Sequence, residues 1–416
     1  MGLKAVYVPW LHFHQPLIWW KTKRKEELIG NLRKMLLSQD SNQSYNAKLM
    51  ARAYKNPAKY VLNLRKEGYN PKIIVDFSAI LLESLNKLSK EKWFKEISIE
   101  GEKLGDVMGL WKRVLNKYPD SIEFAGSSYS HCYFPVTPRE DWDYQIEEWR
   151  NSFKKLFGKK ILERIKGFWL PEMGTPGKEE DLALLIKLLK ENGYEWLILP
   201  TEALEGEKKL SYEERIKITS RPHILKAKNQ KIKVIFKVRY DFLDQQAGCD
   251  ANGVYERCIK AAEIFKGKAP ALVVPASDGE NGNVMMNEFF PNTFVPFFKE
   301  KIDKKISSML ISEFLEKYYK KIRSEIKISE IGGSWAGGHS KWTVGDKRET
   351  INKRIRELSK KFHEIRKVTK NKKYEEAKKA LLISETSCYT YWGTTFWFLQ
   401  GMKTINYANQ KINELI

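Results

Sequence analysis

The chain reads as an α/β protein: a parallel sheet closed into a barrel, with a helical region at its C-terminal end packed on it. Three observations point there. Short apolar runs alternate with helix-patterned stretches. Parallel strands buried on both faces read as such runs, and the helices between them are the crossovers. Polar and acidic residues gather where the runs stop, which in barrels is the rim that carries catalytic groups. Beyond residue 346 strand signals largely cease and charged helix patterning takes over.

Taken in order, AVYVPWLHF (5–13) is the first strand, and KIIVDFSAI (72–80) follows a helix-like segment at about 44–67. SIEFAGSSY (121–129) follows another at about 102–118, and IKGFWLP (165–171) comes after the amphipathic stretch DWDYQIEEWRNSFKKLF. EEDLALLIKLLKENG has apolar residues every three or four positions and a terminal glycine, the pattern of a helix and its stop. It leads into YEWLILP (194–200); ALVVPAS (271–277) and EIKISEIGG (325–333) complete the alternation. One insertion breaks it: 216–238 reads as a β-hairpin turning at Lys228-Asn229-Gln230. These boundaries give a catalytic unit of residues 1–345 and a helical region of residues 346–416. The aromatic segment SETSCYTYWGTTFWF in the latter needs a surface to pack on, or it would be exposed.

Composition limits the alternatives. The 416 residues are 42% hydrophobic and 12% aromatic, enough for a packed core. A net charge of +22 raises nucleic-acid binding. The basic residues are however dispersed among glutamates on helix-like stretches, and no RNP, zinc-finger or helix-turn-helix pattern is present. A Lys/Glu-rich surface is a thermophile trait, so no specific nucleic-acid partner is expected. No secretory signal is visible, and no stretch nears the roughly 18 apolar residues of a membrane span. Cys132, Cys249, Cys258 and Cys388 form no CxxC pair and read as reduced thiols of a cytoplasmic protein, with a Cys249–Cys258 bridge as the hyperthermophile exception.

The chemistry lies in two segments, GFWLPEMG at 167–174 and VVPASDGENGN at 273–283. Each is an apolar run that ends in a carboxylate and breaks at proline or glycine, which puts Glu172 and Asp278 at the strand-to-loop edge. Two carboxyl groups side by side, with aromatic rings nearby, are the equipment of a glycoside hydrolase. His12, His14, Asp76, Ser127, Ser128 and His131 fall on the same rim, and Trp169 is beside Glu172. Glu280, close to Asp278, is expected to disfavour its ionisation and keep it protonated near neutral pH. Gly279 and Gly282 are expected to let the backbone approach substrate. Trp335, in the glycine-rich GGSWAGGHSKW, reads as a lid or sugar platform, with His339 a weaker candidate in the same loop. Tyr389 and Trp392 either cap the cleft or pack in the helical core. Asp241 and Asp244 read as the acidic start of a helix, and His223 and His363 as surface residues.

Five segments, in order, resemble glycoside hydrolase family 57. HFHQP at 12–16 matches that family's N-terminal His-x-His-Gln-Pro motif, and SIEFAGSSYSH at 121–131 is similar to its second region. FWLPEMG at 168–174 resembles the third, which carries the nucleophile; SDGENGN at 277–283 resembles the fourth, which carries the acid/base. ETSCYTYWG at 385–393 resembles the fifth, a Ser/aromatic segment in the helical region. The resemblance implies an incomplete seven-stranded β/α barrel, with Glu172 as nucleophile and Asp278 as general acid/base. It implies retaining attack on α-glucosidic bonds, as in an α-amylase or a 4-α-glucanotransferase, on an oligo- or polysaccharide, with no metal or organic cofactor. Cys388 departs from the family, which commonly carries Asp there. The fourth region also lacks the usual aromatic residue after its glycine.

Two rival readings stand beside it. A His-x-His pair on a strand points both imidazoles to one face, a spacing used for metal ligands. Sugar deacetylases and some mannosidases build zinc sites this way, with Asp76 or Asp278 available as a third ligand. That leaves both carboxylate segments without an obvious role, so hydrogen bonding of His12 and His14 to sugar hydroxyls is the preferred expectation. The other rival is a carbohydrate-binding protein without catalysis, which the presence of both carboxylates disfavours.

Overall fold

The computed structural model describes residues 2–21, 25–238, 245, 248–365 and 371–416. Its centre is a large, mostly parallel sheet wrapped by helices. The strands are β1 (Ala5–Tyr7), β2 (Trp10–Phe13), β3 (Ile73–Phe77), β4 (Ile122–Gly126), β5 (Gly167–Trp169) and β6 (Trp196–Leu199). There follow β7 (His223–Ala227), β8 (Gln230–Phe236), β9 (Ala271–Val273), β10 (Ala276–Asp278), β11 (Ile306–Ser307) and β12 (Ser324–Ile326). Nine pair in the order β10-β2-β3-β4-β5-β6-β8-β7-β12, and three more in the order β9-β1-β11.

The two sheets are separated by a matched pair of prolines. AVYVPWLHF breaks at Pro9 and the 271–278 segment breaks at Pro275, because proline has no N–H to donate to a ladder. Around the break the backbone stays paired: the Val8 N–H donates to the Val273 carbonyl at 3.1 Å and the Trp10 N–H to the Pro275 carbonyl at 2.9 Å. At the far side Val238 makes a parallel bridge to Pro275, its N–H donating to the Val274 carbonyl at 3.0 Å.

Alternation along each strand sorts side chains to two layers. One face holds Val6, Val8, Trp10, Ile74, Ala125, Trp169, Trp196, Ile198, Ile235, Leu272, Val274 and Ala276, all buried together. The helix Ile311–Ile322 packs against this layer through Ile311, Phe314 and Leu315. The other face, with Leu11, Phe13, Val75, Phe77 and Phe124, packs on the surrounding helices. Helical surfaces carry (i, i+4) pairs such as Lys159–Glu163, Lys187–Glu191 and Lys360–Glu364, each worth only tenths of a kcal/mol.

Several expectations are corrected. The 216–238 segment is not wholly an inserted hairpin. Residues Tyr212–Thr219 form a helix started by a capping box between Ser211 and Glu214, and β8 is a member of the main sheet, parallel to β6. The strand expected at 325–333 is only Ser324–Ile326, which pairs with the outer strand β7. Its residues, Ser324-Glu325-Ile326, expose the glutamate and half-bury its two neighbours, a pattern for a strand with one wet face rather than a central one. His223 is buried, its Nε2–H donating to the Ile218 carbonyl and its Nδ1 accepting from the Ser324 hydroxyl, at 2.8 Å each. His363 is at the surface, as its sequence context predicts, and from there pairs with the buried Asp141, 2.7 Å away. The cysteines are all free thiols. Asp241 and Asp244 lie outside the described residues.

The helices Asp346–His363, Lys372–Ser384 and Thr395–Asn413 share a core of their own, including Ile351, Leu358, Leu381, Ile405 and Ile412. Between the second and third, the chain returns to the sheet: Thr386 bridges Cys132, and the Ser387 N–H donates to the His131 carbonyl at 2.9 Å.

Close packing of the inner layer is testable at Gly167, which is opposite both Ala125 and Trp196. A methyl group added there would meet the Trp196 indole at 2.3 Å. The Gly167→Ala variant is expected to lose about 1–3 kcal/mol by overpacking, read as a lowered midpoint in thermal or denaturant unfolding.

Candidate active site

Glu172 sits on a strained turn. β5 ends at Trp169, Pro171 opens a single 3-10 turn, and Glu172 then adopts φ 57°, ψ 14°, with Met173 at φ 50°. Left-handed backbone in two successive non-glycine residues costs of order 1–3 kcal/mol each, and persists only where the surroundings dictate it. Here the Met173 N–H donates to the Leu170 carbonyl at 2.7 Å, and Gly174 to Pro171 at 3.0 Å. Thr175 exchanges two backbone hydrogen bonds with Gly333, 2.8 and 3.1 Å, and the Met173 side chain is buried. The turn thereby aims the Glu172 carboxylate across the strand ends.

Both of its oxygens are held. The Ser387 hydroxyl donates to Oε1 at 2.9 Å and the Trp335 indole N–H donates to Oε2 at 2.7 Å. Burial pushes this carboxyl above the usual carboxylate range; Trp335 and Ser387 pull it back, Asp278 adds to the rise, and His12 opposes it. Asp278 ends β10 directly across from His12, with Asn281 Nδ2 donating to its Oδ2 at 3.1 Å. His12 in turn is level with Asp76 on β3. Asp278, His12 and Asp76 therefore form one row across three adjacent strands, and the charges of Asp278 and His12 act on Glu172.

His12, at the centre of that row, begins a stack that continues through His131 to His14. His12 Nδ1 donates to Asp76 Oδ1 at 2.6 Å, and Asp76 Oδ2 accepts from the Trp10 indole at 2.8 Å. His12 Nε2 is 2.9 Å from His131 Nε2. Burial alone would lower the His12 pKa, but the charge and hydrogen bond of Asp76, with Asp278 and Glu280, raise it to about 9. His14 lies flat on His131, centroids 4.0 Å apart, and bonds to the Ser78 hydroxyl at 2.7 Å and Cys388 Sγ at 3.4 Å. Burial holds both His14 and His131 well below the ordinary histidine range, with His12 adding to it. His131 itself has φ 63°.

The sequence-derived candidates divide by position. Glu172, Asp278, His12, His131 and Trp335 converge on one rim. His14 is behind His131, and Trp169 is the floor under His12, rings 4.9 Å apart and 11° from parallel. Glu280 is buried and accepts the His14 backbone N–H at 2.9 Å. Burial and then Asp278 push its carboxyl well above the usual range. Gly279 is required by packing, since a methyl there would meet the Phe13 ring at 1.9 Å. Tyr389 is only 1% exposed and donates to the Leu17 carbonyl or shares a bond with Thr404, so it belongs to the helical core. Trp392 is 54% exposed, edge-on to Tyr391.

Two residues escaped the sequence reading. Ser387 donates to Glu172, and Tyr391 approaches Trp335 with ring centroids 6.0 Å apart; burial, then Glu172 and Asp278, raise the Tyr391 pKa. Both lie in the ETSCYTYWG segment, where the usable signal was a hydroxyl followed by aromatics after a helix end. Among the described residues no group of three or more His, Cys, Asp or Glu is arranged to hold a metal ion; the inner nitrogens of His12 and His14 are directed at His131 and Cys388.

A paired-carboxylate rim with flanking indole rings defines a glycoside-hydrolase type of site. The family model for glycosyl hydrolase family 57 matches residues 7–329, and the chain belongs to that family. Among solved structures it is similar to a family 57 branching enzyme from Thermococcus kodakaraensis, at 17% identity and TM-score 0.67, covering 99% of this chain and 90% of that one. A 4-α-glucanotransferase from Thermococcus litoralis matches at 16% and TM-score 0.65, over 99% of this chain and 60% of that one. The α-amylase AmyC of Thermotoga maritima matches at 12% and TM-score 0.64, over 99% and 93%. At these identities the likeness is one of fold. No curated protein sequence matches the chain. Trp335 and Ser387 lie beyond the residues matched by the family model.

The His12–Asp76 pair carries a pH signature. A histidine whose folded pKa is raised from 6.5 to about 9 contributes stability that is fully present below about 6.5 and lost as pH rises through about 9. A His12→Asn variant is expected to lack this dependence. The check is the unfolding free energy of both proteins at pH 6 and at pH 9.5: wild type should fall by a few kcal/mol more than the variant.

Proposed function

We propose that this protein is a retaining enzyme acting on the α-glucosidic bonds of α-glucans, with Glu172 as nucleophile and Asp278 as general acid/base. The observation that carries the reading is the strained, doubly hydrogen-bonded Glu172 beside the charges of Asp278 and His12. Local strain of this kind concentrates where a side chain has to be aimed. The family match and the similar structures, a branching enzyme, a glucanotransferase and an amylase, supply the substrate class.

In the first step a Glu172 oxygen forms a bond to the anomeric carbon as the glycosidic C–O bond breaks, and Asp278 gives its proton to the departing oxygen. In the second, Asp278 removes a proton from water or from a sugar hydroxyl, whose oxygen displaces Glu172. Trp335 holds one nucleophile oxygen while its ring and that of Tyr391 flank the rim, where indole and phenol faces suit the apolar face of a pyranose. His12 and the carboxylates beside it offer polar partners for sugar hydroxyls.

We read the sheet as an incomplete seven-stranded barrel. The inner layer draws on seven successive strands, β1–β2, β3, β4, β5, β6, β8 and β9–β10, and the Val238–Pro275 bridge joins the last to the one before. Residues 1–345 would be the catalytic unit and 346–416 the helical region that lends Ser387 and Tyr391 to it. An intracellular setting fits four free thiols, and no helix among the described residues is long and apolar enough to cross a membrane.

Maltoheptaose is the direct test. Wild type is expected to convert it to shorter maltodextrins, with longer ones also present if a second sugar accepts the glycosyl group. Glu172→Ala should lose turnover by 10⁴-fold or more, order of magnitude about that of a missing nucleophile, while retaining its unfolding midpoint. An active Glu172→Ala protein would overturn the assignment.

A further inference from the structure

We propose that Ser387 is a positioning residue which, through His131, connects the Glu172 carboxylate to the His12 imidazole in one hydrogen-bonded wire, so that nucleophile and histidine exchange a proton. The proposal rests on the assignment of Glu172 as nucleophile. Its basis is an unbroken series of contacts: Asp76 Oδ1 to His12 Nδ1, 2.6 Å; His12 Nε2 to His131 Nε2, 2.9 Å; His131 Nδ1 to Ser387 Oγ, 2.9 Å; Ser387 Oγ to Glu172 Oε1, 2.9 Å. Every link is between groups drawn from a different part of the chain.

Donor and acceptor inventory leaves a single polarity for the reactive state. An ionised Glu172 can only accept, so the Ser387 hydroxyl donates to it. The Ser387 oxygen then accepts from His131, which places the His131 proton on Nδ1. His131 Nε2 is left with its lone pair, so the proton between the two rings belongs to His12 Nε2. Asp76 accepts from His12 Nδ1, which makes His12 an imidazolium. The raised pKa of His12 and the lowered pKa of His131 agree with that distribution.

The reverse polarity carries the same number of protons. A proton passes from His12 Nε2 to His131 Nε2, another from His131 Nδ1 to Ser387 Oγ, and the Ser387 proton goes to Glu172 Oε1. The result is a neutral His12 and a protonated, unreactive Glu172, with Ser387 now donating to His131 Nδ1. No bond other than N–H and O–H is made or broken, and no redox partner is involved. The wire therefore exchanges a buried ion pair for a neutral pair, and the two groups titrate as one system.

The groups around the wire set which form prevails. His12 faces Asp76, Asp278, Glu280, His131 and His14. Glu172 faces Asp278, His12, His131, Cys388, Tyr133 and Tyr391, as well as the Trp335 indole. Carboxylates crowd the His12 end, whereas the neighbours of Glu172 other than Asp278 and His12 are neutral near pH 7, so the positive charge is drawn to His12 and Glu172 is left ionised.

The test is the pH profile of kcat/KM on maltoheptaose for wild type, Ser387→Ala, Ser387→Thr and Glu172→Ala. A hydrogen bond to a charged group corresponds to about one to two pH units. Ser387→Ala is expected to move the acidic limb upward by that amount and lower kcat roughly 10- to 100-fold with KM unchanged. Ser387→Thr, which keeps the hydroxyl, should restore the limb, and its recovery separates a wire from a folding defect. Imidazole ¹⁵N spectra at pH 7, resolvable with six histidines, should show His12 doubly protonated and His131 as the Nδ1–H form. A wild-type acidic limb in Ser387→Ala, or a neutral His12 at pH 7, would overturn the wire while an inactive Glu172→Ala left the nucleophile standing. An active Glu172→Ala would overturn both.

Discussion

A carboxylate set into the end of an apolar sheet needs donors to its oxygens, and the arrangement around Glu172 supplies one to each. Burial alone pushes the group toward its neutral form. The opposing contributions come from remote parts of the chain: an indole from the 332–338 loop, a hydroxyl from the helical region, and the charge of His12 at the end of β2. The sheet's role is to hold these sources at fixed distance. Its register puts Asp278, His12 and Asp76 level across β10, β2 and β3. The left-handed turn after β5 then brings Glu172 within reach of the Asp278 and His12 charges.

The same residues serve packing and chemistry, which explains how the inner layer tolerates charge. Trp10 is a member of the buried apolar layer, touching Trp169 and Trp196, and its indole N–H is also a donor to Asp76. Trp169 belongs to that layer and is the surface on which His12 lies flat. Below this level the strands present mostly apolar side chains inward, with Glu123 on β4, bonded to the Ser312 hydroxyl, as a buried exception; at the rim β2, β3 and β10 present His12, Asp76 and Asp278. The helical region contributes through a short return of the chain at 386–391, tied to the rim by the Thr386–Cys132 bridge and the Ser387–His131 backbone bond.

Much of the rim was legible in the sequence because its signals are local. An apolar run that ends in Pro-Glu or Ser-Asp and stops at glycine marks both a strand end and a carboxylate, and Glu172 and Asp278 were found that way. The family resemblance put both carboxylates in one cleft; their burial and their partners were not legible. Ser387 reaches Glu172 across 215 residues, a contact created by docking of helices whose own sequence patterning reports only their shared core. Tyr389 and Tyr391 are indistinguishable by type, and two residues of a helical turn point them to opposite sides, one into the helical core and one to the rim. The helix at Tyr212–Thr219 had a readable start in Ser211-x-x-Glu214, overridden by the alternating IKIT that follows. His223 begins a strand and reads as exposed, yet it is buried between the nearby Ile218 carbonyl and the distant Ser324 hydroxyl; His363 stays at the surface but reaches the buried Asp141 across 222 residues.

Covalent trapping is the most direct measurement of the central claim. A 5-fluoro-α-glucosyl fluoride slows the second step more than the first, so a retaining enzyme accumulates its glycosyl-enzyme intermediate. Incubation with that reagent followed by peptide mass spectrometry should place one added fluoroglucosyl group on the peptide that contains Glu172. A label on a different carboxylate, or active protein that never acquires one, would contradict the account.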